Sequence, residues 1–306
     1  MKIHFLNVGH GDMTLVEVCG KNILIDCYIS EENYALDSIR KIFNNKIIDY
    51  LFITHLHDDH ITGLEELVND GFDIKNIFES GYREKDSKQK VYKYALDLFR
   101  KKSAIKLVAS EEKINLDPDF SFYCYNSNNG MNDIHYNSLV IKIEENNHSV
   151  LFAGDTNCEV WQEEIIPNFR YCINADILHA SHHGSRSFFY CNNDEPNEVF
   201  SYKEHMKAIA PFYTIISAKR KDDVEEDWPP HNDAVELYKK YTKKSVLITG
   251  EEDNITLDLD EDIYNISETE KNLLTNDSIT SQFDFVPEEY PFVTISKHSK
   301  PWCLYG

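Results

Sequence analysis

Two β-sheets with helices packed around them, an α/β (α+β) chain, is the fold class this sequence predicts. Three observations carry it. Strand-length apolar runs outnumber segments of helical period, the helical segments interrupt the strand series at intervals, and "IIDYLFIT" (47–54) is apolar almost throughout. A run of that last kind marks a strand covered on both faces, which an all-β sandwich with one solvated face does not need.

The elements follow in order. "KIHFLNV" (2–8), "MTLVEVC" (13–19) and "NILIDCY" (22–28) are strand-like runs broken by "GHGD" and "GK". After 47–54 comes a polar turn, and "ITGLEELVND" (61–70) then has the period of a helix. Further strands are expected at 74–79, 105–109, 120–125, 138–143, 148–153, 175–180, 212–217 and 245–249. Helices are expected at 34–44, 87–102, 158–166, 200–209 and 232–242. In 83–102, Val91, Tyr94, Ala95, Leu98 and Phe99 share one face and the lysines form a solvated back. No internal repeat of solenoid period is present.

Composition narrows the function classes. The 306 residues are 42% hydrophobic and 12% aromatic, as in a globular protein. No apolar run approaches the roughly 18 residues that cross a bilayer, and the first residues contain no signal-peptide core, so no membrane role and a cytoplasmic location are expected. The seven cysteines are scattered, with no CxxC pair, which speaks against a disulfide framework and a thiolate zinc knuckle. A net charge of -22 disfavours long duplex nucleic acid as a partner. From Glu251 to Glu289 there are thirteen acidic residues and one basic one, Lys271, followed by an apolar end containing Phe292, Trp302 and Tyr305. The expected organisation is a domain over 1–258 and an acidic C-terminal extension over 259–306, docked or used for a protein partner or self-association.

Chemistry concentrates in "ITHLHDDHITG" (53–63). His55 and His57 are two apart after a buried strand, so in extended chain both imidazoles point to one side and converge on one cation. Asp59 and His60 sit on the following turn, placed for a second cation. Imidazole and carboxylate donors without thiolates suit Zn²⁺, Mn²⁺ or Fe. Two distant strand ends offer more donors: "HSVLFAGDTN" (148–157) ends on Asp155, where a carboxylate bridges two metals, and "ADILHASHHGS" (175–185) ends on His182 and His183.

The combination "THLHDDH", "FAGD" and "ASHHGS" resembles the metallo-β-lactamase fold superfamily, whose HxHxDH motif matches residues 55–60. With "FLNVGHGDMTLVEV…ILIDC", "NSLVIKI" and "PPHNDAVELY", the chain looks most like the hydrolase domain of bacterial DNA-uptake (competence) channels and its stand-alone relatives, over roughly residues 1–258. The resemblance implies an αββα four-layer sandwich with two divalent metal ions, Zn²⁺ or Mn²⁺, at one edge between the sheets. It implies that His55 and His57 bind the first metal, Asp59 and His60 the second, and that Asp155 bridges them. His182 is favoured over His183 to complete the second site, which leaves His183 as a substrate contact; His231 would touch the leaving group or the phosphate. Asp12 and Asp26 are expected to orient imidazoles. One departure stands out: where the superfamily supplies a further histidine to the first metal, this chain reads "NDIHYNSLVIKI", with Asn137 at the motif position and His135 two residues earlier as the remaining candidate.

Two cations roughly 3.5–4 Å apart make hydroxide available near neutral pH, with no serine or cysteine nucleophile needed. Asp59 is the group to hold or deprotonate that water. The expected activity is dimetal-dependent hydrolysis of an anionic phosphodiester or phosphoester: a nucleotide, a short nucleic acid or a small phosphoester. The alternatives are an ester or lactone hydrolase, and a hydrolase subunit active only within a protein complex.

Overall fold

The computed structural model describes residues 1–268 apart from 31–32, 86, 115–116, 192–196, 224, 226 and 260–264. The chain divides into Met1–Thr269 and Glu270–Gly306. The second unit, with the closing aromatic cluster, lies outside the described residues.

Strands β1 (Lys2–Phe5), β2 (Thr14–Val18), β3 (Lys21–Ile25), β4 (Ile47–Ile53), β5 (Asp73–Glu79) and β6 (Ile105–Lys106) run in that order across one sheet. A second sheet holds β7 (Ser110–Ile114), β8 (Ser121–Asn126), β9 (Val140–Glu145), β10 (His148–Phe152), β11 (Ile177–His179), β12 (Tyr213–Ile216) and β13 (Ser245–Ile248), again in chain order. Strands β14 (Ile255–Asp258) and β15 (Asn265–Glu268) return to the first sheet beside β1. Pairing is antiparallel from β1 to β3 and parallel from β3 to β6; it is antiparallel from β7 to β10 and parallel from β10 to β13.

Side-chain alternation makes the layers. In β4, Tyr50 and Phe52 enter the core between the sheets, while Leu51 and Ile53 enter a second core beneath the helices Ala35–Ile42, Leu64–Asn69 and Lys90–Lys102. That double burial is why the strand is apolar almost throughout, and each such side chain contributes about 1.5–3 kcal/mol. Between the sheets, Phe52 stacks on Phe78 at 4.9 Å and meets Phe122 of the other sheet at 5.1 Å. A third core buries the outer face of the second sheet under helices that include Trp161–Ile165, Glu204–Ile209 and Asn232–Tyr241. Helix, sheet, sheet, helix is the αββα sandwich that was expected. Among the described residues, no helix is long and apolar enough to cross a membrane.

Three strands were not foreseen. β7, "SEEKI", is a half-exposed edge strand whose one apolar residue, Ile114, is too little to betray it. β14 lies inside the acidic stretch, yet Ile255 and Leu257 alternate inward and pair with Phe5 and Ile3. There the inward side chains, rather than the mean charge, decide the conformation. β15, also in that stretch, pairs with β14.

His205 packs 4.2 Å from Phe188 and 5.7 Å from Trp161 in the third core. Burial lowers its imidazole to about 3. Above the ordinary value of 6.5, folded and unfolded chains are both neutral at this site and its stability contribution is complete. Between 6.5 and about 3 only the unfolded chain takes up the proton, so stability falls with acid by roughly 1.4 kcal/mol per pH unit from this group. Urea melts at pH 7 and pH 5 are expected to show a smaller acid loss for His205→Phe than for wild type, by about 2 kcal/mol. Equal losses would contradict this account.

Candidate metal centre

The parallel strands of both sheets end on one edge, and the chemistry-bearing side chains lie just beyond those ends. Asp26 follows β3, Thr54, His55 and His57 follow β4, Asp155 follows β10, and His182 and His183 follow β11. One backbone bond joins the two sheets there, Leu139 N–H to Thr54 O at 2.9 Å, and a second, His182 N–H to Gly154 O at 3.1 Å, ties the ends of β10 and β11 within the second sheet.

Two groups of donors form there. In the first, His55 Nε2 lies 3.1 Å from His57 Nδ1, and His135 and Asp155 complete a set whose ligand atoms all fall within 4.8 Å of one another. Asn137 places His135: its amide donates to the carbonyls of Met131 and Asp133, and its oxygen accepts from Asn129 N–H. The asparagine thus shapes the loop from which the histidine two residues earlier reaches the cluster.

The second group joins His60, Asp155 and His183, with Asp59 against His183 at 3.1 Å. Asp155 serves both groups: Oδ1 faces His60 Nε2 at 3.4 Å, and Oδ2 lies 3.6 Å from His55 Nε2, 3.7 Å from His182 Nε2 and 3.9 Å from His183 Nε2. His60 Nε2 and Asp155 Oδ1 are buried, and neither makes a well-directed hydrogen bond among the described residues. Leaving such atoms unengaged is costly. Facing donors of this chemistry, shared between two imidazole groups, fit a pair of divalent cations.

The far side of each ring is engaged so that its inner nitrogen faces the cluster. His60 Nδ1–H donates to Asp26 at 2.8 Å, and His183 Nδ1–H donates to Ser217 O at 2.9 Å. Asp26 also accepts from Thr54 N–H at 2.7 Å and Thr54 Oγ1–H at 2.6 Å. Asp12 is buried near His60, His179 and His183 at 3.5–3.8 Å, a Coulombic neighbour rather than a hydrogen-bond partner. Backbone conformation is specialised too: Asp26, His182 and His183 are left-handed, with φ of 55°, 48° and 54°. For side-chain-bearing residues this costs roughly 1–2 kcal/mol each, held by the surrounding framework.

Electrostatics sort the donors. Burial pulls His55 well below its ordinary value and brings His182 down to about 4, so both rings are neutral at pH 7. Burial also disfavours charge on His60, but Asp155, Asp26 and Asp59 outweigh it and hold the ring well above 6.5. For His183, burial is overcome by Asp12, Asp155 and Asp59, which raise it to about 9. Burial pushes the Asp155 carboxyl up, and His60, His182 and His55 reverse this and hold it well below its ordinary value. A bound cation would take the place of the protons on His60 and His183.

His55, His57, Asp59, His60, His135 and Asp155 are therefore brought together. Of the adjacent pair, His183 is the ring between Asp59 and Asp155, and His182 lies beside the first group, 4.6 Å ring to ring from His135. This exchanges the places expected from the sequence, because two successive left-handed residues splay the rings apart. His231 is not brought to the cluster. Its Nδ1 accepts from Arg186 N–H at 3.2 Å, its Nε2–H donates to Asp227 O at 3.1 Å, and it buttresses the turn after His183. His10 was missed in the "GHGD" motif, although its ring lies 4.4 Å from that of His183. Gly11 beside it is required, since a Cβ there would stand 2.8 Å from Asp59 O and 2.4 Å from the Tyr28 ring.

A family model described as "Anti-Pycsar protein Apyc1" matches residues 8–180. No curated protein sequence matches the chain. Among solved structures, Igni18, a metallo hydrolase from the hyperthermophilic archaeon Ignicoccus hospitalis, is 18% identical, with 85% of this chain and 100% of that one covered and a TM-score of 0.51. CmlA, a diiron β-hydroxylase from Streptomyces venezuelae, is 15% identical over 84% of this chain and 54% of its own, with a TM-score of 0.52. The metallo-β-lactamase fold protein YhfI from Bacillus subtilis is 12% identical over 81% and 96%, with a TM-score of 0.48. At these identities the likeness is one of fold, and the fold is that of the metallo-β-lactamases.

Asp26→Asn replaces an all-acceptor group with one that cannot accept from Thr54 N–H, Thr54 Oγ1–H and His60 Nδ1–H together, because one of its two terminal atoms becomes a donor. Competition with a chromogenic chelator is expected to show metal affinity about 10–100-fold weaker, with the circular dichroism spectrum unchanged. Wild-type affinity in this variant would remove Asp26 from the centre.

Proposed function

The chain belongs to the Apyc1 anti-Pycsar family, and from that premise we propose that it is a metal-dependent hydrolase of phosphodiester or phosphoester bonds. The observation that supports this most is Asp155, one buried carboxylate facing both histidine groups, with its Oδ1 and the opposing His60 Nε2 unengaged. In this reading His55, His57, His135 and Asp155 would hold one Zn²⁺ or Mn²⁺, and Asp59, His60, His183 and Asp155 would hold the other. When bound, the cation pair supplies Lewis-acid polarisation of a phosphoryl oxygen and a lowered pKa for water.

The chain's own residues do the rest. Of the four carboxylates at the centre, Asp59 has 28% of its side chain exposed while Asp12, Asp26 and Asp155 have 5% or less. Asp59 is therefore the carboxylate that meets incoming water and takes its proton. Asp26 and Ser217 fix the orientation of His60 and His183, so that each presents Nε2 to the centre. The likeness of the motifs to DNA-uptake hydrolase domains favours a phosphodiester, and the charge of -22 favours a small one over a long polyanion. An anti-Pycsar role, as the family's name states it, is part of this reading.

Protein reconstituted with Zn²⁺ or Mn²⁺ is expected to retain two metals per chain by elemental analysis and to hydrolyse bis(p-nitrophenyl) phosphate. His57→Ala should lose metal, and Asp59→Asn should lower kcat by about 10²–10⁴-fold. A wild-type protein that retains no metal, or an Asp59→Asn variant with full activity, would defeat the proposal.

A further inference from the structure

Two thiols meet where the chain leaves the metal edge. Cys158 lies three residues past Asp155, and Cys191 eight past His183. Their Sγ atoms are 2.7 Å apart, across 33 residues of sequence. Neither belongs to the donor groups, and both are free thiols. Each is carried by an anchored piece of chain. Cys158 opens the short helix Cys158–Val160, which Asn157 caps by accepting Val160 N–H at 3.2 Å. Val160 and Trp161 are buried behind it, and Trp161 Nε1–H donates to Thr156 Oγ1 at 2.9 Å. Cys191 follows Phe188, Phe189 and Tyr190, all buried in the third core. There Tyr190 N–H donates to Arg186 O at 3.0 Å, and Phe189 O accepts Tyr202 N–H at 2.8 Å. The fold itself sets the contact between the sulfurs, so a bond between them closes with little movement of the chain.

The two differ in access. Cys191 is exposed and Cys158 is buried. Burial and the facing Cys191 thiol push the Cys158 thiol well above its ordinary value. The thiolate is the form that attacks an oxidant, and access decides which thiolate does so. Cys191 is therefore the sulfur that meets an oxidant from solvent. Cys158, already in contact with it, is the one that resolves the product. An outer thiol backed by an inner one suits a reversible pair, whereas a structural cysteine is buried and inert.

We propose that Cys158 and Cys191 are a redox pair that a peroxide closes to a disulfide, clasping the turn that carries Asp155 to the segment that follows His182 and His183. The Cys191 sulfur attacks one peroxide oxygen and the O–O bond breaks. That sulfur is oxidised to a sulfenic acid, and the departing oxygen leaves as water with the thiol proton. The Cys158 sulfur then attacks the sulfenic sulfur. An S–S bond forms, the S–O bond breaks, and the hydroxyl leaves with the Cys158 proton as a second water. Two thiols are oxidised and one peroxide is reduced, and a dithiol reverses the bond by exchange.

Mass mapping of the full chain tests this, after treatment with hydrogen peroxide and then N-ethylmaleimide in urea. Trypsin cuts after Arg170 and Arg186 and so leaves the two cysteines on different peptides. The expected product is a peptide pair joined through Cys158 and Cys191 that dithiothreitol separates. Because the bond closes a loop of 33 residues, oxidised wild type is expected to melt about 5–10 °C above reduced wild type. Cys191→Ser, at an exposed position, should melt with reduced wild type before and after peroxide. In Cys158→Ser no second thiol resolves the sulfenic acid, and dimedone should label Cys191. Full alkylation of Cys158 after peroxide, or Cys191 joined to a different cysteine, would overturn the pair. A joined pair with unchanged melting would overturn the clasp.

Discussion

Four imidazoles converge on one buried carboxylate, and the architecture is arranged around that convergence. Asp155 lies within 3.4–3.9 Å of His60, His55, His182 and His183. Buried charge on this scale is tolerated only when it is compensated nearby, and removing one partner strands the rest. Its approach leaves no spare room. A Cβ on Gly154 would stand 2.4 Å from Ser138 Oγ and 2.7 Å from Leu139 O, and the same Ser138 Oγ accepts the Asp155 N–H. The β10 end is thus pressed against the start of β9, and β9 is bonded to the β4 end through Leu139.

The left-handed pair His182–His183 shows how the framework holds a strained segment. Ser181 anchors it from one side, with its N–H donated to Tyr238 Oη and its hydroxyl to Thr156 O. His231 anchors it from the other, accepting Arg186 N–H while its own N–H is donated to Gly184 O. Tyr238 and His231 belong to the helix Asn232–Tyr241 and its cap, and the third core fixes that helix. The aromatic packing around Phe188 and Phe189 therefore determines where two imidazoles point.

The fold was legible where periodicity was strong. β4 announced itself because both faces are buried, and the helices near 35–42, 90–102 and 232–241 because their apolar stripes are clean. β7 and β14 were not legible, since one is a charged edge and the other sits in an acidic stretch. At the site, "HLHDDH" and the two distant strand ends were readable from residue type and spacing alone. Which of His182 and His183 faces Asp59 was not, because it depends on two backbone angles that periodicity does not encode. His231 misled for a related reason: a histidine before a helix looks the same in sequence whether its ring turns toward a ligand or toward its own loop. His10 escaped notice because its neighbours Gly11 and Asp12 already explained the motif.

Strands β1–β6 and β8–β13 run through the same order of pairings, three antiparallel members followed by three parallel ones. The donors divide along that line: His55, His57, Asp59 and His60 come from the first half, and His135, Asp155 and His183 from the second. Neither half holds a complete coordination sphere. Occupancy of the centre is consequently a property of the closed sandwich, and cation affinity measures how firmly the two halves are clasped as well as how good the ligands are.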